Sequence, residues 1–147
     1  QHIYGNRPDV GSVCRTMPQN VMALSALHGK AKPRHGFGTY FSPELPMWDD
    51  PQLIRSAPQA EGVAGLIGDG RAVIMRGNGL VTAGENAEQA LTWVFYAEDM
   101  CRVELEALRT GSKAPVIPHD ECEKRATVKG MIIERMWDYL TDGDPEL

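Results

Sequence analysis

The chain has 147 residues, of which 42% are hydrophobic and 24% are charged, and its formal net charge is −5 at pH 7. These values predict one globular domain over residues 1–147, and because the chain begins with Gln1 rather than Met, we expect it to lack the first residues of a longer polypeptide. The acidic balance argues against a nucleic-acid partner, and no apolar run approaches the roughly 20 residues that cross a bilayer.

The first half of the chain predicts a strand, a helix and a long irregular segment. The strand covers residues 9–16, where apolar side chains accumulate. Pro18 suits the first turn of the helix, and Gly29 ends it. Residues 30–51 are rich in proline, glycine and aromatic side chains. A long segment of this kind usually builds a binding surface rather than a plain connection.

The second half alternates helices with short strands. The predicted elements are a helix over 60–67, strands over 72–75 and 80–83, and helices over 87–109 and 120–140. The Asn78-Gly79 pair favours a two-residue hairpin between the two strands. In the helix over 87–109, apolar residues recur at steps of three and four from Ala90 onward, which predicts one buried stripe.

The cysteines bear on the cellular compartment. Cys14, Cys101 and Cys122 lie far apart and show no paired spacing. An odd number of cysteines without a disulfide framework indicates reduced thiols, so we expect a cytoplasmic protein.

Several short motifs follow one another in the order and spacing of a known family. They are Arg7-Pro8-Asp9-Val10, Arg15-Thr16-Met17-Pro18, Gly68-Asp69-Gly70-Arg71 and Glu134-Arg135-Met136-Trp137. Together they resemble the class II aldolase/adducin family, and the last motif is similar to its subgroup that decarboxylates hydroxylated aromatic and pyridine acids. The resemblance implies an α/β fold, a three-layer sandwich whose central, mostly antiparallel sheet is flanked by helices. It also implies a homo-oligomer with active sites near the subunit interface.

The metal site of this family is altered in the chain. In family members that bind a divalent cation, an acidic residue and three histidines hold the ion. Here Arg15, Met17 and Asn78 stand at the histidine positions, and the acidic ligand would precede Gln1. A guanidinium does not coordinate metals, and a thioether is a poor ligand for hard cations. We therefore expect no metal and no other cofactor, while a metal held unconventionally, for instance by His35 with an upstream acid, stays open.

Seven residues are candidates for a small-molecule site. Arg15 can hold a carboxylate through both ends of its guanidinium, and a structural ion pair is the alternative role. His35, whose ordinary pKa is near ~6.5, and Glu44 are the candidate acid and base. Asn78 can donate its amide to a substrate oxygen. The remaining candidates for substrate binding are Met17, Tyr40 and Trp48. Each of the seven also suits a purely structural role.

Two classes of function remain open at this point. The first is a metal-independent enzyme that makes or breaks carbon–carbon bonds in a carboxylate-bearing aromatic or amino-acid-derived substrate. It would catalyse a decarboxylation, or a Pictet–Spengler-type condensation in which an aromatic ring attacks an iminium. The second is a non-catalytic, adducin-like interaction module, and a conventional metal-dependent lyase with unrecognised ligands is a further alternative. The aromatic and polar residues of 34–50 favour the enzyme, because they suit the wall of a pocket.

Overall fold

The computed structural model describes residues 1–111 and 114–146, so Leu147, the end of the predicted domain, lies outside the described residues. A four-stranded sheet in the order β1-β4-β3-β2 forms the centre. Its strands are β1 (Ser12–Thr16), β2 (Met47–Trp48), β3 (Ala72–Met75) and β4 (Gly79–Gly84). β4 pairs antiparallel with both β1 and β3, and β2 joins β3 in parallel. The predicted mostly antiparallel sheet is therefore confirmed.

Helices cover both faces of the sheet and complete the three predicted layers. The first face carries α1 (His2–Asn6) and α3 (Ala57–Ile67), and the second carries α2 (Gln19–Ala26) and α4 (Ala87–Arg109). Around α4 are a 3-10 helix (Phe37–Phe41), α5 (His119–Arg125) and α6 (Ile132–Thr141). Strand side chains alternate between the two cores: Val73 and Val81 pack under α3, and Ile74 and Leu80 pack under α4. Among the described helices, none is long and apolar enough to cross a membrane.

The single helix predicted over 120–140 is wrong, because the structure has α5 and α6 there. Between them, Gly130 and Met131 take φ angles of 80° and 59°, which a continuous right-handed helix does not contain. The carbonyl of Thr127 accepts a hydrogen bond of 2.6 Å from the hydroxyl of the buried Tyr40. A long-range contact thus fixes the break in the helix.

The two-residue hairpin predicted at Asn78-Gly79 is also wrong. Met75 pairs with Gly79, so the loop contains three residues, from Arg76 to Asn78. The N–H of Asn78 donates to the carbonyl of Met75 at 2.8 Å, and Gly77 takes a φ of 67°. The turn therefore centres on Arg76 and Gly77, and glycine at the second of these positions supplies the left-handed conformation.

Several element boundaries also differ from the prediction. The strand expected over 9–16 is shortened to β1, and the irregular segment 30–51 contains the 3-10 helix and β2. The helix expected over 60–67 begins earlier, at Ala57, because Ser56 and Gln59 form a capping box in which each side chain bonds the other residue's backbone.

Strand β4 and helix α4 approach each other closely. A Cβ atom on Gly84 would lie 2.6 Å from the backbone nitrogen of Ala90. The buried hydroxyl of Thr82 donates to the carbonyl of Ala90 at 2.7 Å. This fit leaves no room for a side chain at the end of β4.

A side chain of α4 caps the N-terminus of α2. The carboxylate of Glu98 accepts hydrogen bonds from the backbone N–H groups of Asn20, at 2.9 and 3.0 Å, and Val21, at 3.0 Å. It also accepts one from the side-chain amide of Asn20 at 2.7 Å. The first N–H groups of a helix have no partner within the helix, and a negative charge is favourable there. Glu98 therefore fixes where α2 begins, directly after β1.

A second carboxylate of α4 holds the segment 30–36. Glu104 is 5% exposed and receives both Nε and Nη2 of Arg34, at 2.8 and 3.0 Å. The other terminal nitrogen of Arg34 donates to the carbonyl of Ala114. In the next position, Nδ1 of His35 lies 3.7 Å from a carboxylate oxygen of Asp99. Partial burial lowers the pKa of His35, although Asp99 opposes this shift.

Replacing Glu98 with alanine should lower the free energy of unfolding by about 2 kcal/mol, because α2 loses its cap and its bonds to a charged acceptor. Urea denaturation measures the change. The control is Glu106→Ala in the same helix, whose exposed side chain pairs with Arg109. We expect the control to stay within about 0.5 kcal/mol of the original protein. Equal losses in the two variants would contradict the capping role.

The lowered pKa of His35 predicts that the free energy of unfolding decreases as the pH is lowered. Below the ordinary histidine pKa of ~6.5 the unfolded chain takes up this proton first, so the free energy of unfolding decreases until the lower folded pKa is passed. The difference in urea stability between the original protein and His35→Gln, measured from about pH 7 down to pH 5, isolates this contribution. Parallel pH profiles for the two proteins would show that His35 contributes nothing.

Candidate functional site

A cavity of about 510 Å³ opens on the sheet face that carries α1 and α3. It lies between α1, the segment 52–55, α3 and the ends of β1, β3 and β4. Its lining residues are Gln1, His2, Ile3, Arg15, Gln52, Leu53, Ile54, Arg55, Ala60, Val63, Met75, Asn78 and Val81. Cavities of this size hold small ligands.

The charges of this cavity all have one sign. Arg15 and Arg55 contribute guanidinium groups, His2 contributes an imidazole, and no aspartate or glutamate is among the lining residues. Arg15 is exposed and donates to the carbonyl of Asn78 at 2.8 Å. Within the described residues, neither Arg15 nor Arg55 forms an ion pair. An acidic protein thus presents a locally positive pocket with largely apolar walls.

The side chain of Asn78 holds the wall of the cavity in place. Its amide nitrogen donates to the carbonyl of Pro51 at 2.7 Å. The neighbouring Arg76 forms an ion pair with Asp49. These two contacts tie the 76–78 turn to the chain just before the segment 52–55. Asn78 therefore lines the cavity while its amide is already bonded to the protein.

Gly79, the first residue of β4 after the turn, lies in close contact with the end of β1. This residue takes a φ of 91°, and a Cβ there would lie 2.1 Å from the carbonyl oxygen of Thr16 and 3.0 Å from the Cα of Met17. Only glycine fits both the conformation and the space. Arg15, Met17 and Asn78 are consequently brought together around one close contact.

Met17 shares this neighbourhood but not the cavity. Its side chain is 60% exposed and lines a separate depression of about 370 Å³ with Val94, Phe95 and Glu98. β1 ends at Thr16, so the alternation that would place Met17 beside Arg15 on one face stops there.

The two aromatic candidates pack elsewhere in the domain. Tyr40 is 3% exposed and lies against Trp93 in the core under α4. Trp48 packs in the core under α3, where its ring occupies the space that a side chain at Gly62 would need. Neither ring is among the residues that line the cavity.

The candidate acid and base also lie away from Arg15 within one chain. His35 sits beside Asp99 on α4, and its buried Nε2 has no partner among the described residues. Glu44 forms an exposed ion pair with Lys30 at 2.8 Å. Neither residue lines the cavity.

The donor set at the family's metal position does not fit a divalent cation. Arg15 is cationic, Met17 offers only a thioether and faces another depression, and Asn78 offers a single amide oxygen while its amide nitrogen bonds Pro51. Hard cations prefer several carboxylate or carbonyl oxygens, and zinc prefers thiolates and imidazoles. Among the described residues, no three His, Cys, Asp or Glu side chains form a group that could hold a metal.

Sequence reasoning missed His2 and Arg55 as cavity residues. His2 opens α1, and Arg55 immediately precedes the capping box of α3. Neither position belongs to a recognisable motif. Their signal is a polar side chain at the start of a helix, which becomes informative only when the segments have been brought together.

Comparisons with known proteins agree with this architecture. A model of the family described as Class II Aldolase and Adducin N-terminal domain matches residues 1–105. The chain is 27% identical over 115 residues to a 4-hydroxy-3-prenylphenylpyruvate oxygenase/4-hydroxy-3-prenylbenzoate synthase from Streptomyces roseochromogenus subsp. oscitans, covering 78% of this chain and 42% of that protein. The chain thus spans less than half of this relative.

Two solved structures share the fold. An L-fuculose 1-phosphate aldolase superposes with a TM-score of 0.76 at 17% identity, covering 85% of this chain and 60% of that one. An aldolase II superfamily protein from Pseudomonas syringae superposes with a TM-score of 0.74 at 23% identity, covering 95% and 58%. At these identities the structures support the fold alone. The family match extends over the whole sheet and most of α4, and this chain therefore belongs to the class II aldolase and adducin N-terminal domain family.

Proposed function

We propose that this protein is a biosynthetic enzyme that makes or breaks a carbon–carbon bond in a carboxylate-bearing aromatic substrate, without a metal ion. The observation that carries the proposal is Arg15, an exposed guanidinium without a carboxylate partner among the described residues, on the wall of an apolar cavity. Such a group binds a carboxylate through two charge-assisted hydrogen bonds. Arg55 adds a second positive charge to the same cavity.

The walls of the cavity suit the apolar body of the substrate. Leu53, Ile54, Val63 and Met75 line it, so a ring or an alkyl substituent can bury its surface there while its acid group meets Arg15. The Streptomyces relative carries a name that specifies a prenylated phenylpyruvate and a prenylated benzoate. An aromatic acid with an apolar substituent is the substrate class that both observations support.

The placement of Arg15 bears on which bond reacts. A guanidinium that stabilises a carboxylate opposes the loss of that same group as neutral carbon dioxide, because the interaction weakens along the reaction. The anchored carboxylate is therefore retained, and the reacting bond lies elsewhere in the substrate. A condensation meets this condition: an amine and an aldehyde lose water to form an iminium, a ring carbon attacks it, and the ring then gives up a proton to a base.

Within one chain, His2 lines the described cavity, and we propose its imidazole as the group that accepts this proton. His35 and Glu44 remain proposed as proton-transfer groups in a homo-oligomer. Because they lie outside the cavity of their own chain, they would act there only from a neighbouring subunit. A site of this kind needs the oligomer to be complete.

The anchoring role of Arg15 predicts a selective loss of binding. For an aromatic carboxylate such as 4-hydroxyphenylpyruvate or tryptophan, Arg15→Ala should raise the dissociation constant roughly 10- to 100-fold, because bonds to a charged group are lost. The corresponding amides should bind both proteins equally. Isothermal titration calorimetry measures this, with Arg109→Ala as the control, since Arg109 is exposed and pairs with Glu106. Equal losses for acid and amide would contradict the anchor.

The donor set predicts that chelation leaves the protein functional. After exhaustive dialysis against EDTA, carboxylate binding and any turnover should be unchanged, because Arg15 does not coordinate metals. The thioether of Met17 and the amide oxygen of Asn78 are too few to hold a hard cation. Turnover is sought by mass spectrometry with aromatic amino acids and aldehydes, and with aromatic 2-oxo acids carrying a ¹³C label in the carboxyl group. We expect the label to stay in the product. Loss of turnover on chelation, restored by added Zn²⁺, Mn²⁺ or Fe²⁺, would overturn metal independence.

A further inference from the structure

A second concave site lies on the other side of the domain, outside the cavity of Arg15. It is a groove of about 400 Å³ between the 3-10 helix, α4 and α6, with the end of α5 at its edge. We call it the aromatic groove. Its lining includes four aromatic rings and two guanidinium groups, from Phe37, Tyr40, Tyr96, Tyr139, Arg125 and Arg135.

The rings form a stacked floor and an exposed rim. Phe37 and Tyr96 stack with centroids 4.2 Å apart and planes inclined by 10°, and Tyr40 lies 5.3 Å from Tyr96. Tyr40 and Tyr96 are buried, whereas Phe37 is 38% exposed and Tyr139 is 79% exposed. The exposed faces of Phe37 and Tyr139 leave aromatic surface open to a flat partner.

The charges of the groove are again positive only. No aspartate or glutamate is among its lining residues, and within the described ranges neither Arg125 nor Arg135 has a carboxylate partner. Nε of Arg135 donates to the carbonyl of Met131 at 3.1 Å, which orients the side chain. Both guanidinium groups act on Tyr96: burial raises the pKa of this phenol, and the two positive charges oppose the rise.

We propose that the aromatic groove is a second binding site, for a small aromatic carboxylate. The ring of the ligand lies against Phe37 and Tyr139, and its carboxylate meets Arg125 and Arg135. Aromatic faces for stacking and two guanidinium groups, without a carboxylate partner in the described ranges, form the complementary surface for a flat anion. A neutral aromatic molecule can stack on the rings but has no carboxylate for the two guanidinium groups.

The site is independent of the proposed reaction. None of its lining residues lines the cavity of Arg15. A ligand bound in the aromatic groove can be substrate or product held close to the protein, or a regulator whose occupancy follows its concentration. The alternative occupant of the groove is a second copy of the chain, and the experiment below distinguishes it from an aromatic carboxylate.

The probe is 2-naphthoate, with 2-naphthalenemethanol as its uncharged counterpart. Binding is measured by saturation-transfer NMR and calorimetry in Arg15→Ala, which weakens acid binding in the first cavity. The part of each probe's binding that Tyr139→Ala removes is assigned to the groove. We expect 2-naphthoate to bind at least roughly 10-fold more tightly than the alcohol, and Arg125→Gln with Arg135→Gln to remove that advantage. Tyr139→Ala should weaken both probes. Arg109→Gln, an exposed arginine outside the groove, is the control and should change nothing.

Three outcomes would overturn the proposal. The alcohol could bind as tightly as the acid, or the double arginine variant could keep the full affinity for the acid. Alternatively, affinity for the acid could fall as the protein concentration rises, in step with dimer formation in analytical ultracentrifugation. The last result would assign the groove to a second copy of the chain. All substituted side chains are exposed, and thermal denaturation checks that the variants are folded.

Discussion

The close fit between β4 and α4 is the constraint on which the other elements depend. β4 is buried along its whole length and pairs with β1 on one side and β3 on the other. Gly84 leaves room for the backbone of Ala90, and Thr82 bonds the carbonyl of the same residue. Since β1 carries Arg15 and β3 leads into the 76–78 turn, seating β4 on α4 also sets the geometry of the cavity.

Helix α4 extends this control through two carboxylates. Glu98 caps α2 and thereby fixes the chain that leaves β1, and Glu104 holds Arg34 at the start of the long loop. Both acids are matched by several hydrogen bonds, which offsets the cost of removing a charge from water. The carboxylates of α4 thus bind backbone groups and Arg34, while in two concave surfaces the guanidinium groups have no carboxylate partner among the described residues. These surfaces are where binding of anions is favoured.

Under the proposed function, Arg15 takes the anchoring role that the family resemblance assigns to a metal ion. A divalent cation polarises an oxygen and stabilises negative charge that develops as a bond breaks. Arg15 supplies a fixed charge and directional hydrogen bonds, but it stabilises an existing carboxylate more than a developing enolate. Asn78 lies on the wall of the same cavity, and its amide nitrogen bonds the carbonyl of Pro51. The proposed chemistry therefore rests on positioning and proton transfer.

The sequence by itself determined the strands over 72–75 and 80–83 and the buried stripe of α4, because periodicity is a local signal that packing preserves. The layers and the mostly antiparallel sheet came through resemblance to the family. The same resemblance indicated Arg15, Met17 and Asn78 as one neighbourhood. Only the tertiary structure decided that His2 and Arg55 join Arg15, that Tyr40 and Trp48 belong to the two cores, and that the last helix breaks near Thr127. The physical reason is that these outcomes depend on contacts between residues distant in the chain, which leave no periodic trace in the sequence.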